Sequence, residues 1–293
     1  MISDSFSNPN PGVIINQPNG SNVYEGVRVD YRGNDVTPEN FLAILQGDMK
    51  SVRGGSGRVI ASSASDHIFV YFVDHGATGL IQFPNSILTV KQLNDALRLM
   101  HAKHQYKRVV FFMEACEGGS MFNNILPKNI NVYAVTSANE KESAWACYCD
   151  NDREGLPCLG DVFSVSWMGN ADSVSAFRDL KSEKLKTQVE IAREATTSSH
   201  VMEYGNMSIG NLSAANFEGS KPVFADSLQP RKVVQPGAIA LTIFFSNLLS
   251  SKRVYKSEVN NNSFDEKKCV NKWSVMYSRK RICSTNEYLI AIL

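Results

Sequence analysis

Two residues stand where their types and spacing can do chemistry. Cys116 ends the apolar run Phe111-Phe112-Met113-Glu114-Ala115-Cys116 and is followed by Glu117-Gly118-Gly119-Ser120-Met121. His75 follows a second run, Ile68-Phe69-Val70-Tyr71-Phe72-Val73-Asp74, and precedes Gly76. A thiol and an imidazole at the ends of two strand-like segments suit nucleophilic catalysis, because the imidazole can take the thiol proton and leave a thiolate. A lone cysteine is more often a small buried hydrophobe and a lone loop histidine more often structural, so the pairing carries the reading. Gly76 leaves room for a carbonyl to approach its N–H, which suits an oxyanion donor. Gly118 and Gly119 permit a tight turn, and Ser120 is read as the cap of a helix aimed at the sulfur.

Such a site needs elements that bring both corners to one rim. Strands are expected at 67–73, 108–115, 131–136 and 162–167, and helices near 38–47, 89–104 and 174–195. Thr37 caps the first helix ahead of Pro38, and Phe177, Leu180, Leu185, Val189 and Ala192 share one face of the last. Strands alternating with helices predict a parallel α/β sheet, whose carboxyl ends gather catalytic loops on one edge. The Gly- and Ser-rich stretch 51–65 reads as a solvent loop with Arg53 and Arg58 as solvated charges. The 293 residues, 43% of them hydrophobic, suit one sizeable domain plus an appendage, and a net charge of +1 argues against a nucleic-acid binder. Ile239 to Leu249 is too short for a membrane span.

The Asp74-His75-Gly76-Ala77-Thr78-Gly79 and Glu114-Ala115-Cys116-Glu117-Gly118-Gly119-Ser120-Met121 blocks resemble the two catalytic blocks of the legumain family of cysteine peptidases. Similar stretches include Asn34 to Leu42, Thr136 to Asn139, Leu159-Gly160-Asp161 and Ser199 to Asn206, so the resemblance covers about residues 8 to 219. It implies a caspase-like α/β/α sandwich with a mainly parallel central sheet. The implied activity is a cysteine endopeptidase cleaving after asparagine, more slowly after aspartate at acid pH, with peptide ligation in some relatives. By the resemblance Cys116 is the nucleophile, His75 the general base and the Gly76 amide the oxyanion donor. Asp74 is the neighbour that can cyclise to a succinimide, and Glu114, Ser143 and Asp161 line the asparagine pocket. Acceptors such as Glu114 and Asp161 suit a primary amide and reject an apolar side chain that would leave them unpaired. No cofactor or metal is implied. The implied partners are peptides or proteins with accessible asparagines and cystatin-type inhibitors, and the implied location is lysosomal or vacuolar.

The chain also departs from the pattern. Nothing in it matches the family's upstream βαβ segment, whose Asn-Tyr-Arg-His-like block orients the histidine and completes the pocket. The segment from Met1 to Pro9 has no signal-peptide character. An N-terminally truncated member is therefore expected, with an incomplete catalytic domain over 1–222, a divergent tail over 223–293, and the flank of strand 67–73 left uncovered. A catalytically impaired, peptide-binding form is the alternative, ahead of a relative of the transamidase that attaches glycolipid anchors. Ala144 and Val162 replace a serine and an aromatic residue common in relatives. Cys147, Cys149 and Cys158 have poor zinc spacing. Cys147 reads as a buried strand thiol, while Cys149 and Cys158 can pair in an oxidising compartment or stay free in a reducing one. Sequons begin at Asn19, Asn206, Asn211 and Asn261. Ala238 to Leu241 falls where relatives begin a propeptide, and Lys252, Arg253, Lys267, Lys268, Arg279, Lys280 and Arg281 make the last stretch basic.

Overall fold

Successive side chains of a strand point to opposite faces, and in His67–Val73 (β1) both faces are apolar. Ile68, Val70 and Phe72 enter one core, and Phe69, Tyr71 and Val73 the other. A strand of this kind needs cover on both sides, which helices supply. The computed structural model describes residues 10–149, 158–177, 182–219 and 287–292, with the backbone alone at 174–177 and 287–292.

The chain runs through α1 (Pro38–Leu45), β1, and a hairpin sheet of β2 (Gly76–Ala77), β3 (Leu80–Phe83) and β4 (Ser86–Thr89). Then come α2 (Val90–Ala102), β5 (Arg108–Glu114), β6 (Val132–Thr136), β7 (Ala146–Cys147), β8 (Gly160–Asp161), α3 (Val162–Phe177), α4 (Leu185–Ala195), β9 (Met202–Gly205), α5 (Ala215–Glu218) and β10 (Glu287–Ile292). The central sheet has the order β10-β1-β5-β6-β9, parallel except for β9. Phe41, Ile44, Leu93 and Leu97 from α1 and α2 pack on one face, and Phe163, Trp167, Leu185 and Val189 from α3 and α4 on the other. The α/β/α sandwich with its mainly parallel sheet is therefore present.

Local capping sets two helix starts, the first of them at Thr37 as expected. The Thr37 hydroxyl accepts the Asn40 N–H at 3.1 Å at the start of α1. Thr89 and Gln92 form a capping box at the start of α2.

Other expectations are corrected. Residues 162–167 open α3 instead of forming a strand. The Val-Phe-Ser-Val-Ser-Trp alternation reads as β, but the buried residues Phe163, Trp167, Met168 and Ala171 follow a helical spacing. The helix expected over 174–195 divides into the end of α3 and α4. Arg58 is not a solvated charge: its guanidinium lies 3.1 Å from the buried carboxylate of Asp30. Nor is the outer flank of β1 uncovered, since β10 pairs with it in parallel from His67↔Glu287 to Phe72↔Ile292. The segment 223–293 thus contributes a strand to the sheet. Ala238–Leu241, Ile239 to Leu249, the basic residues from Lys252 to Arg281 and the Asn261 sequon lie outside the described residues.

Candidate active site

The register of two adjacent strands brings the catalytic candidates together. β1 and β5 are parallel neighbours with Val73 opposite Glu114, so His75 and Cys116, each two residues further on, leave the same rim side by side. Asp74 N–H donates to the Glu114 carbonyl at 3.2 Å, which extends the pairing one step past the strand ends. At Gly76 a Cβ would lie 2.2 Å from the Cys116 carbonyl oxygen. Glycine is thus required for the two corners to approach, a stronger constraint than room for a substrate. The Asp74 carboxylate accepts the His75 N–H at 2.7 Å.

The expected helix after Cys116 does not form. Gly118–Met121 makes a single 3-10 turn, and the Ser120 hydroxyl accepts the Gly79 N–H at 2.8 Å instead of capping a helix. Glu117, next to the thiol, is left-handed at φ 53°, a conformation a non-glycine residue holds only when its surroundings enforce it. Its N–H donates to the Glu142 carbonyl at 2.7 Å, and its carboxylate accepts the Thr78 hydroxyl. Gly119 has no space for a side chain: a Cβ would fall 2.4 Å from the Tyr204 hydroxyl and 2.8 Å from the Asn139 and Glu140 backbone. The nucleophile loop is therefore pressed against the segment that follows β6.

That segment carries one wall of the candidate pocket. The Cys116 sulfur lies 4.0 Å from the Ala144 carbonyl, and Ser143, exposed, sits between Ala144 and Glu142. The Trp145 carbonyl accepts the Val162 N–H at 3.1 Å, and β7 then pairs with β8, setting Ala146 opposite Asp161. Glu114 and Asp161 are buried, at 3% and 4% exposure. Both lie at the start of α3: the Glu114 carboxylate accepts the Ser164 N–H at 3.1 Å and the Ser164 hydroxyl at 2.7 Å, and Asp161 directly precedes Val162. The first turn of α3 thus supplies an amide donor to the Glu114 carboxylate.

Two residues of this region carried no functional signal in the sequence. Ser164 fixes Glu114 and receives the Tyr71 hydroxyl at 2.7 Å, so a buried chain from β1 to α3 orients the carboxylate. Only its place in α3 shows this, since the alternation of residues 162–167 suggests a strand. Cys147 is half-buried on β7, where burial, Asp161 and Glu114 push its thiol up to about 12. It is a neutral pocket-wall thiol. Cys149 and Cys158 form a disulfide across the β7–β8 connection. Among the described residues no cluster of three or more metal-ligating side chains occurs, and no helix is long and apolar enough to cross a membrane.

Residues 2–220 match the Peptidase C13 family. Legumain from Mus musculus is 46% identical over 263 residues, covering 88% of this chain and 59% of that protein. A vacuolar-processing enzyme from Vicia sativa is 41% identical over 231 residues, covering 75% of this chain and 46% of its own length. The chain thus spans about half the length of the relatives it matches. Caspase-1 from Spodoptera frugiperda aligns with 58% of this chain and 68% of its own at 11% identity and a TM-score of 0.39. A family match over residues 2–220, spanning both strand-end corners, places this chain in the peptidase C13 family.

Proposed function

We propose that this chain is a cysteine endopeptidase that cleaves peptide bonds after asparagine. The observation that supports the reading is the β1–β5 register, which brings the His75 and Cys116 corners to one rim, with buried Glu114 two residues before Cys116. Cys116 attacks the scissile carbonyl as a thiolate, forming a carbon–sulfur bond, and His75 takes the thiol proton and returns it to the leaving amine. The Gly76 N–H stabilises the oxyanion of the tetrahedral intermediate. Water then hydrolyses the thioester and regenerates the thiol.

Glu114 and Asp161 accept the substrate amide's N–H groups, and Ser143 adds a polar contact at the pocket mouth. An aspartate side chain enters only when one carboxyl of the cluster is protonated, so its cleavage rises toward acid pH. The Asp74 carboxylate, already at its neighbour's amide nitrogen, suits succinimide closure and a ligase side activity. Peptides and proteins with accessible asparagines are the substrates, cystatin-type inhibitors the expected antagonists, and a lysosome or vacuole the expected compartment.

The test is hydrolysis of an Ala-Ala-Asn reporter peptide at about pH 5.5, within the range where carboxylate charge still favours the amide. Wild-type turnover that vanishes in Cys116→Ala is expected. A folded wild type that leaves the reporter intact, or turnover that survives Cys116→Ala, would overturn the proposal.

A further inference from the structure

Glu142 joins three segments that the proposed reaction needs held together. Its backbone carbonyl accepts the N–H of Glu117, the residue after Cys116, at 2.7 Å. Its carboxylate accepts the Asn139 N–H at 2.9 Å through Oε1, which closes the loop leading to Ser143. The same carboxylate accepts the His200 N–H at 2.7 Å and contacts His200 Nδ1 at 2.8 Å through Oε2, tying the loop to the segment before β9. Next to Glu142 come Ser143 and Ala144, whose carbonyl faces the Cys116 sulfur.

The carboxylate does more here than an exposed ion pair would. His200 is 76% exposed on its side chain, and a pair with so exposed a partner contributes little by charge alone. Two backbone N–H donors on one oxygen are a different matter, because the loop must expose or reorient those amides if the acceptor is removed. Burial alone would raise the Glu142 carboxyl, but the Asn139 and His200 hydrogen bonds outweigh it and hold the group below its ordinary value.

We infer that Glu142, assisted by His200, is a positioning residue that holds the wall of the asparagine pocket against the nucleophile loop, and so sets selectivity for the substrate side chain. The inference rests on the reading of Cys116, Ser143 and the pocket carboxylates given above. Glu142 acts on substrate only through Ser143 and the Cys116–Glu117 backbone. Glutamine keeps an acceptor oxygen for the two N–H groups, whereas alanine removes it.

The test uses the full chain as wild type, Glu142→Gln, Glu142→Ala and His200→Ala. Steady-state kinetics are measured on Ala-Ala-Asn and Ala-Ala-Asp reporters, beside the rate of Cys116 alkylation by iodoacetamide. Loss of one or two such acceptor contacts corresponds to about a tenfold rise in KM for the asparagine reporter in Glu142→Ala. The preference for asparagine over aspartate is expected to fall, with the alkylation rate unchanged, Glu142→Gln restoring most of the loss and His200→Ala showing a smaller rise in KM. Equal effects of Gln and Ala, a loss confined to kcat with unchanged preference, or no loss in folded Glu142→Ala would overturn the inference.

If Glu142→Ala does not fold, His200→Ala decides, and an unchanged KM and preference there would overturn it. If the wild type does not turn over, the proposed function fails on its own. Calorimetric binding of the asparagine peptide to wild type and Glu142→Ala then reads this inference separately: weaker binding by the variant supports it, and equal or undetectable binding by both overturns it.

Discussion

Cys116 and Cys147 are the two cysteines outside a disulfide among the described residues, both half-buried, yet their surroundings are opposite. Cys116 follows a parallel strand at the open rim, next to the His75 corner and the peptide amides of a tight turn. Cys147 lies on a two-residue strand facing buried carboxylates, which penalise any further negative charge. Thiol reactivity is therefore set by the element that carries the sulfur, since only the thiolate is a strong nucleophile. The carboxylates proposed to receive a substrate amide also keep the Cys147 thiol neutral and so unreactive.

The largest expected effect is on turnover. Cys116→Ala should lower kcat/KM by at least about a thousandfold, as removal of a nucleophile does elsewhere. Cys147→Ala should change it only a few-fold, and comparable losses in the two variants would break the contrast. Labelling is the next measure. With a pKa of about 12, Cys147 carries about a thousandfold less thiolate near pH 7.5 than an ordinary thiol. Peptide mapping after brief iodoacetamide treatment should find Cys116 modified and Cys147 intact, and early labelling of Cys147 would contradict its placement.

A smaller effect concerns the clamp on the wall. The Cys149–Cys158 disulfide joins positions nine residues apart, and such a loop adds about 2.5 kcal/mol of stability by restricting the unfolded chain. The Cys149→Ser/Cys158→Ser double variant should melt roughly 5 °C lower and label faster at Cys147, sharpening the distinction between a guarded and an open thiol. An unchanged melting point and unchanged labelling would show that the wall does not depend on the bridge.

The smallest effect is in acid. Because the folded Glu142 carboxyl is held below its ordinary value, its stabilisation is present above about pH 4.3 and is lost as pH falls through the folded value. Wild type should lose stability over that window relative to Glu142→Gln, as followed by thermal melts between neutral and strongly acid pH. Parallel curves would remove Glu142 as a source of acid sensitivity.

The two thiols also show which parts of the molecule the sequence could express. The Cys116 corner, β1, β5 and α2 follow from local patterns: long apolar runs, a capping box and a glycine pair. The wall was harder to read because β7 and β8 have two residues each, and the role of Ser164 depends on α3 starting where the composition favours a strand. The acidic environment of Cys147 is a product of three elements meeting, with no signal in its neighbours along the chain. Likewise Gly76 looked like space for a ligand, and only the packed corners show that Cys116 itself takes up that space. The tie from Asp30 to Arg58 spans a loop whose Gly and Ser content suggested only solvent.

The position of β10 has a consequence for the order of events during synthesis. β1 meets β5 through residues such as His67 and Arg108, which leave the ribosome close together, but on its other side His67 meets Glu287. Forming that second ladder closes a very long loop, and such non-local pairings slow folding. The strand that leads into His75 thus waits, with one row of backbone amides and carbonyls unpaired, until Glu287–Ile292 has been translated. Over that interval the nascent chain is open to pairing with other strands.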